Sequence, residues 1–389
     1  MINLAVFFGS RSVEHEVSII TAVQAMTVLR EDTNLKVLPV YIDKTGDWYT
    51  GEHLFDINNY KNIPSLINNC QKINFIRENS KTYMSMSPLK SVGTGLLDRV
   101  DMGFPIVHGT YGEDGSLQGM LEHLQIPYVG CNVLAASTTM DKITSKLILQ
   151  SSGVPVVDGI WFTTDDWLNN YKEKMKLAES TLSFPMIVKP ADTGSSVGVT
   201  VVKDMSELEG GVNFVRQFTN RILIEKLVKD MREINISVLG DCEFVELSVC
   251  EEPILSSDFL SYDDKYNSSG SKSEGMSSAK REIPAKLSDK QRNTIEKMAR
   301  DAFKVLDCSG VVRIDLMIEG TSGNIYINEF NTIPGSLAFY LWEATGKSFT
   351  VLLKDLIDIG IRKKKRISKI VHSNVSNILD NTSLGGLKK

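Results

Sequence analysis

No run in this 389-residue chain approaches the ~20 consecutive apolar residues that a membrane helix needs. The opening stretch Met1 to Phe8 is apolar but lacks a basic flank and a small-residue cleavage site, so it reads as a first strand and not as a signal peptide. The five cysteines (Cys70, Cys131, Cys242, Cys250, Cys308) contain no CxxC pair, which argues against a disulfide framework and a thiolate zinc site and fits a reducing cytoplasm. The histidines show no HExxH spacing, which speaks against a histidine-bound metal. Lys and Arg number 43 against 48 acids; a net charge of -5 lends no general affinity for nucleic acid and points to small-molecule partners. No GxGxxG follows the first strand, which disfavours a dinucleotide-dependent oxidoreductase. There is no internal repeat.

What is present begins with a βαβ opening. Asn3 to Phe8 reads as a buried strand and Gly9-Ser10 as a turn. A helix is expected from about Val13, carrying Ile19, Ala22, Val23, Met26 and Leu29 at helical spacing, and a second strand over Leu35 to Ile42. Residues 100–108 form a further apolar strand ending in His108, at the kind of strand end where α/β sheets gather ligands. Later, FPMIVKP and VGVTVVK read as a hairpin with a Gly/Ser-rich tip, and RILIEKLV and EINISVLG as paired antiparallel strands. The polar stretch from Asn267 to Lys280 has little to bury and reads as a mobile loop. Ser288 and Gln291 make a capping box ahead of the stripe Ile295, Met298, Ala299, Ala302, Phe303 and Leu306. VVRIDLMIE and NIYINEFNT then read as a last hairpin through Gly320 to Gly323.

That hairpin carries the densest chemistry. Arg313 and Asp315 are two apart on one strand, Glu329 and Asn331 two apart on the next, and side chains two apart share a face. Antiparallel pairing would gather Asp315, Glu329 and Asn331 into an oxygen-only cluster suited to Mg2+. A half-exposed polar sheet face explains the same spacing. Thr193 to Gly198 (TGSSVG) could wrap phosphates with backbone N–H groups, though no GK[ST] follows and a plain turn accounts for it as well. Lys142 and Lys189 could neutralise phosphate charge, or be solvated.

In order and wording, FFGSRSVEHEVS, HGTYGEDGSLQGMLEHLQIPYVG, MDKITSK, IVKPADTGSSVGV, YDDKY, GVVRIDLM and NEFNTIPG resemble the D-alanine–D-alanine ligase family of the ATP-grasp superfamily, from about Met1 to Gly360. The resemblance implies an α/β protein: an N-terminal Rossmann-like domain (1–129), then an ATP-grasp fold of two α+β lobes (130–221 and 222–362) with a mobile lid over 258–284. A basic, amphipathic tail (363–389) follows. It implies ATP as co-substrate, two Mg2+ ions held by Asp315, Glu329 and Asn331 with Mn2+ an option, a monovalent cation, and a homodimer. Lys142, Lys189, Ser195 and Ser196 would contact the nucleotide phosphates, with Glu225, Lys226 and Val228 at adenine and Glu233 at the ribose. Glu16, Val17, Ser18 and His108 would hold the first substrate, and Ser336 and Leu337 the second. Arg313 and the Gly335 N–H would stabilise the tetrahedral intermediate, while Ser195 and Tyr266 join Glu16 to close the site. The expected product is D-alanyl-D-alanine for peptidoglycan. D-serine or D-lactate as acceptor, or a degenerate nucleotide-binding homologue, are the alternatives. The acceptor is least determined, because SLAFYLWEATG follows Gly335 at once where the family has a longer segment.

Overall fold

The computed structural model describes residues 1–88, 95–194, 197–254 and 281–371. The chain opens with β1 (Ile2–Gly9), α1 (His15–Leu29), β2 (Leu35–Ile42), β3 (Trp48–Thr50), α2 (Ile63–Asn68), β4 (Gln71–Glu78), β5 (Lys81–Met86), β6 (Leu96–Val100), β7 (Met102–Ile106) and α3 (Ser116–His123). These strands form one seven-stranded sheet in the order β6-β5-β4-β3-β2-β1-β7. β1 pairs in parallel with both β2 and β7. A strand flanked on both edges and covered on both faces must be apolar throughout, which is why LAVFF reads as an unbroken run. The expected strand over 100–108 is split at Asp101, its two halves serving opposite edges of the sheet.

Next come α4 (Val133–Met140), α5 (Lys142–Ser151), β8 (Gly159–Thr163), α6 (Thr164–Thr181), β9 (Met186–Pro190), β10 (Thr200–Val202), α7 (Met205–Val215) and β11 (Arg221–Lys226). A four-stranded sheet, β10-β9-β11-β8, rests on α6 and α7 through Phe162, Trp167, Leu208 and Val212. Here the expected pairing of RILIEKLV with EINISVLG does not occur. β11 pairs antiparallel with β8 and β9. Its Ile222 and Ile224 fill the core of that small sheet, and the chain then turns away at Asp230, which takes a left-handed φ of 47°. The sheet therefore runs past the boundary expected at residue 221. Ala135, Ala136, Leu149 and Val154, expected in the same central lobe, are buried instead in the core of the next sheet.

That next sheet comprises β12 (Arg232–Gly240), β13 (Val245–Pro253), β14 (Arg281–Glu282), β15 (Gly310–Ile318) and β16 (Ile325–Asn331), in the order β14-β13-β12-β15-β16. The helices of this part are α8 (Asp289–Val305), α9 (Phe339–Thr345) and α10 (Phe349–Ile367). The capping box at Ser288 and Gln291 is present, and Ile295, Met298, Ala299, Ala302 and Phe303 of α8 face the sheet. Leu352, Leu353, Leu356 and Ile359 of α10 share one core with β1 and α1, so the end of the described chain locks onto its beginning.

Two expectations about chain segments change. The basic run RKKKR is not a separate tail: it is the last turns of α10, and Lys363 is buried with its Nζ donating to Gly130 O at 3.1 Å. Cations at a helix C-terminus are favoured by its dipole. α10 stops at Ile367, and the remainder of the expected amphipathic helix lies outside the described residues from 372 on. Of the expected lid, 258–280 lies outside the described residues, while Arg281 and Glu282 pair with β13 and belong to the sheet. No helix among the described residues is long and apolar enough to cross a membrane.

Candidate active site

The C-terminal hairpin forms as its spacing predicts. β15 and β16 are antiparallel, with Arg313 opposite Asn331 and Asp315 opposite Glu329. On the other edge of β15, Asp315 faces Asn235 of β12, which in turn faces Glu251 of β13. Glu329, Asp315, Asn235 and Glu251 therefore make one polar row across four strands. Arg313 grips Asp315 with two bonds, Nε to Oδ1 and Nη2 to Oδ2, both 2.7 Å. Asn331 Nδ2 donates to Asp315 Oδ2 at 3.1 Å. Burial works against the Arg313 cation, but the Asp315 carboxylate outweighs it and holds the guanidinium firmly charged. Among the described residues no group of three His, Cys, Asp or Glu side chains is placed to hold a metal. The candidate set is two carboxylates and an amide, hard oxygen donors of the kind Mg2+ takes. The ladder shifts register just after Asp315, so that Leu316 pairs with Ile327 and Asn328 is the extra residue. Its Oδ1 accepts from Lys189 Nζ at 3.3 Å.

Facing this row is a cluster of ammonium groups. Asp141 caps α5 by accepting from Thr144 N, and the N–H of Lys142 donates to Ala191 O at 2.8 Å, which ties the helix start to the loop after β9. Lys142 Nζ donates to Thr193 O at 2.7 Å and lies 3.9 Å from Glu329. One helical turn on, Lys146 is ion-paired with Glu225, whose other oxygen is 2.7 Å from Lys189 Nζ. Glu225 is 1% exposed. Burial alone would raise its pKa, yet the charges of Lys146 and Lys189 prevail and hold it at about 2. Burial also pushes Lys142 and Lys146 down from the usual lysine range, against the pull of Glu329 and Glu225 respectively. The side chain of Glu225, expected at adenine, is thus taken up by the two lysines. Lys226 leans towards Glu319 at 3.5 Å, and Val228 and Glu233 are half-buried nearby in sequence. At the loop tip Thr193 Oγ1 donates to Val197 O at 3.0 Å. Ser195, Ser196 and Tyr266 lie outside the described residues.

The third wall comes from the N-terminal sheet. His108 Nε2 lies 3.0 Å from Thr21 Oγ1, which also accepts the Ser336 N–H at 3.0 Å. Burial pushes the His108 pKa down and favours the neutral ring, although the nearby Glu14 pulls the other way. Glu113 accepts the Gly109 N–H at 2.9 Å with one oxygen and, with the other, the Ile333 N–H at 2.9 Å and the Thr332 hydroxyl at 3.3 Å. It staples the loop after β7 to the loop after β16. Burial, with a contribution from Glu14, raises its pKa to about 7.

Glu16, expected to hold the first substrate, is not gathered with these groups. Its side chain is 66% exposed and pairs with Lys44 at 2.6 Å, on the far side of α1. Glu14, still in the turn before the helix, faces the site: a Cβ added to Gly109 would fall 2.7 Å from its Oε2, and one on Gly194 would fall 3.3 Å from it. Residues two apart at a helix start point in directions about 200° apart, so only one of the pair can face the site. Val17 is half-buried, and Ser18 is buried as a structural tie, accepting the Gly9 N–H at 2.7 Å and donating to Ile106 O at 2.5 Å. After Gly335, Ser336, Leu337 and Ala338 all take left-handed φ angles of 50°, 52° and 51°. Three such non-glycine residues in succession are strained, as turns at functional sites often are. The Leu337 side chain is 2% exposed and packed in the core, so only its backbone can serve a substrate. Sequence reasoning missed Glu14, Thr21, Glu113, Lys146 and Asn328. Glu14 and Glu113 stand inside the quoted motifs; Thr21 and Asn328 carry no spacing signal.

Comparison with known proteins agrees with this geometry. Residues 3–131 match the family model for the D-ala D-ala ligase N-terminus, and residues 148–358 that for the D-ala D-ala ligase C-terminus. The chain is 40% identical to the D-alanine–D-alanine ligase of Thermosipho melanesiensis over 97% of this chain and 98% of that one. To the enzyme of the same name from Thermosipho africanus it is 38% identical, over 98% and 99%. Among solved structures it resembles the D-alanine-D-alanine ligase from Coxiella burnetii (TM-score 0.78, 28% identity, 95% of this chain and 96% of that one). It also resembles the VanG D-Ala:D-Ser ligase from Enterococcus faecalis (TM-score 0.75, 28% identity, 92% and 99%). With an α/β fold of this shape and matches along nearly its whole length, the chain belongs to the D-alanine–D-alanine ligase family of ATP-dependent ligases.

Proposed function

We propose that this protein joins two molecules of D-alanine, with cleavage of ATP, to give the dipeptide used in peptidoglycan. The observation that carries the reading is the opposition of two charged surfaces. Lys146 and Lys189 enclose a single carboxylate, Glu225, and a third lysine, Lys142, comes within 3.9 Å of Glu329 at the end of the acidic row. A surplus of ammonium groups facing a pair of carboxylates suits a polyphosphate accompanied by divalent cations. Asp315, Glu329 and Asn331 are the residues that would hold Mg2+, which when bound offsets phosphate charge.

A carboxylate oxygen of the first D-alanine attacks the γ-phosphorus, the bond to ADP breaks, and an acyl phosphate forms. The unprotonated amine of the second D-alanine then attacks the carbonyl carbon. The tetrahedral intermediate collapses with loss of inorganic phosphate, which carries away the proton shed by the new amide nitrogen, while the proton lost earlier by the ammonium passes to solvent. Lys142 and Lys189 position the phosphates, while Arg313 and the N–H of Gly335 face the oxyanion. Glu14 and His108 bracket the loop that receives the first substrate.

The names of the two Thermosipho relatives favour D-alanine over D-serine or D-lactate as acceptor. The test is release of ADP and phosphate with ATP, Mg2+ and D-alanine, with the product identified by mass. Turnover only with another acceptor would overturn the substrate assignment and keep the chemistry; no turnover with any amino acid would overturn both. The family resemblance also supports a cytoplasmic homodimer, which light scattering on the purified chain would check.

A further inference from the structure

The polar row across the C-terminal sheet has two ends, and the nucleotide accounts for only one. Lys142 and Lys189 stand at the β16 end, against Glu329 and Asn328. From there the row runs through Asp315 and Asn235 to Glu251 on β13. Glu251 is 2% exposed and carries a hydrogen-bonded shell: the Tyr340 hydroxyl donates to its Oε1 at 2.7 Å, Asn235 Nδ2 donates to the same oxygen at 3.2 Å, and Arg281 lies 3.4 Å from its Oε2. The Arg281 guanidinium also sits 4.8 Å from the centre of the Tyr340 ring. Nothing in the phosphoryl-transfer machinery needs this assembly.

Tyr340 reaches Glu251 because of the turn that precedes it. The left-handed run Ser336 to Ala338 brings the chain from the Gly335 N–H straight into α9. Trp342 then anchors α9 on the sheet, its Nε1 donating to Ser237 Oγ at 2.9 Å, and Ser237 is the strand neighbour of Arg313. Tyr340 is thereby set at the Glu251 end of the row, three strands from the Glu329 end that Lys142 approaches. On the ligase reading the phosphates lie at the lysine end, which leaves the Glu251 end of the row for the incoming amine.

We propose that Tyr340, held in place by Glu251 and Arg281, is the wall of the acceptor pocket and limits the size of the side chain that the second amino acid can carry. This rests on the ligase reading above. The proposal accounts for the short segment after Gly335: with no long loop to enclose the acceptor, an aromatic ring fixed by a buried carboxylate takes that place.

The experiment uses the full-length protein with ATP, Mg2+ and D-alanine as donor, against D-alanine, D-serine, D-valine and D-phenylalanine as acceptors, products being separated by mass. A pocket wall discriminates by roughly ten-fold or more per excluded group. Tyr340→Ala should therefore raise the D-valine to D-alanine product ratio at least about ten-fold. Tyr340→Phe keeps the ring and removes only the bond to Glu251; with the ring no longer held in place, the acceptor KM should rise by up to about five-fold, the equivalent of the one protein hydrogen bond lost, with the KM values for ATP and the donor within about two-fold. Should Tyr340→Ala fail to fold, Tyr340→Phe decides. Unchanged acceptor ratios and KM values in the folded variants, or ATP and donor KM values that move together with the acceptor KM, would overturn the proposal. Because the panel reads Tyr340 whichever acceptor the wild type prefers, a wild type that takes D-serine defeats the D-alanine assignment alone. A wild type that ligates none of the panel defeats both.

Discussion

Glu225 of the four-stranded sheet is enclosed by two ammonium groups, whereas Asp315 of the five-stranded sheet is gripped by one guanidinium and shares its row with two further carboxylates, Glu329 and Glu251. Both are nearly inaccessible, and at Glu225 the charges of the neighbouring lysines outweigh the cost of burial. The surroundings differ in sign. With Lys142 added, the lysine cluster keeps an excess of positive charge, while Asp315 and Glu329 against Arg313 keep an excess of negative charge. One site gathers cationic groups and the other anionic ones, and the two kinds of cation explain the geometry. Lysine is a point charge on a flexible stem and can turn from a carboxylate to a phosphate; arginine fixes one planar bidentate pair.

That contrast can be broken at its negative side first. Glu329→Gln should lower turnover by about 10³-fold, in the range found for losing one electrostatic stabiliser, with circular dichroism unchanged. Activity within ten-fold of wild type would remove Glu329 from the metal row. On the positive side, Glu225→Gln leaves two buried ammonium groups facing each other and should cost about 3–5 kcal/mol of stability, read from urea unfolding. Adding Lys146→Met should recover part of that loss, since one of the unpaired charges goes with it. For the wild type the same pair has a pH signature. The Glu225 pKa is about 2 against an ordinary 4.5, so its contribution is complete above about pH 4.5 and fades as pH falls towards 2.

Glu113 runs the opposite way and sharpens the comparison, being a buried carboxylate with no ion-pair partner among the described residues. Its pKa is raised from 4.5 to about 7, so its stabilising effect is complete below about pH 4.5 and is lost as pH rises through 7. The wild type should lose ~2–3 kcal/mol over that interval, and Glu113→Gln should flatten the slope. Denaturation curves at pH 5, 6 and 7 check it; parallel slopes would exclude Glu113 as the source. Smallest of all is the difference at the start of α1. Glu14→Gln should reduce kcat/KM about 10²-fold, while Glu16→Gln should change it less than two-fold and cost under about 1 kcal/mol of stability, as exposed ion pairs do. Equal effects of the two substitutions would restore Glu16 to the site.

Legibility followed the range of the physical cause. Period-two spacing placed Asp315, Glu329 and Asn331 on one face, and the antiparallel hairpin is present as that spacing implied. The capping box before α8 and the parallel strands β1 and β2 were equally readable, since caps and buried strands are local statements about composition. β11 was misread because its apolar run does not say which neighbour it will pair with. Glu16 was preferred to Glu14 because both stand in one motif, and the first turn of α1 decides which faces inward.

The sequence by itself determined the fold class, the family and the residue types of the nucleotide end, because these rest on ordered motifs and on side-chain periodicity. Only the tertiary structure decided which residues meet. It set Glu225 between Lys146 and Lys189 and made Thr21 the link between His108 and Ser336. It also turned RKKKR into the end of a packed helix. Each of these joins positions far apart in the chain, and such contacts are fixed by the burial of whole sheets and helices, not by spacing along one strand.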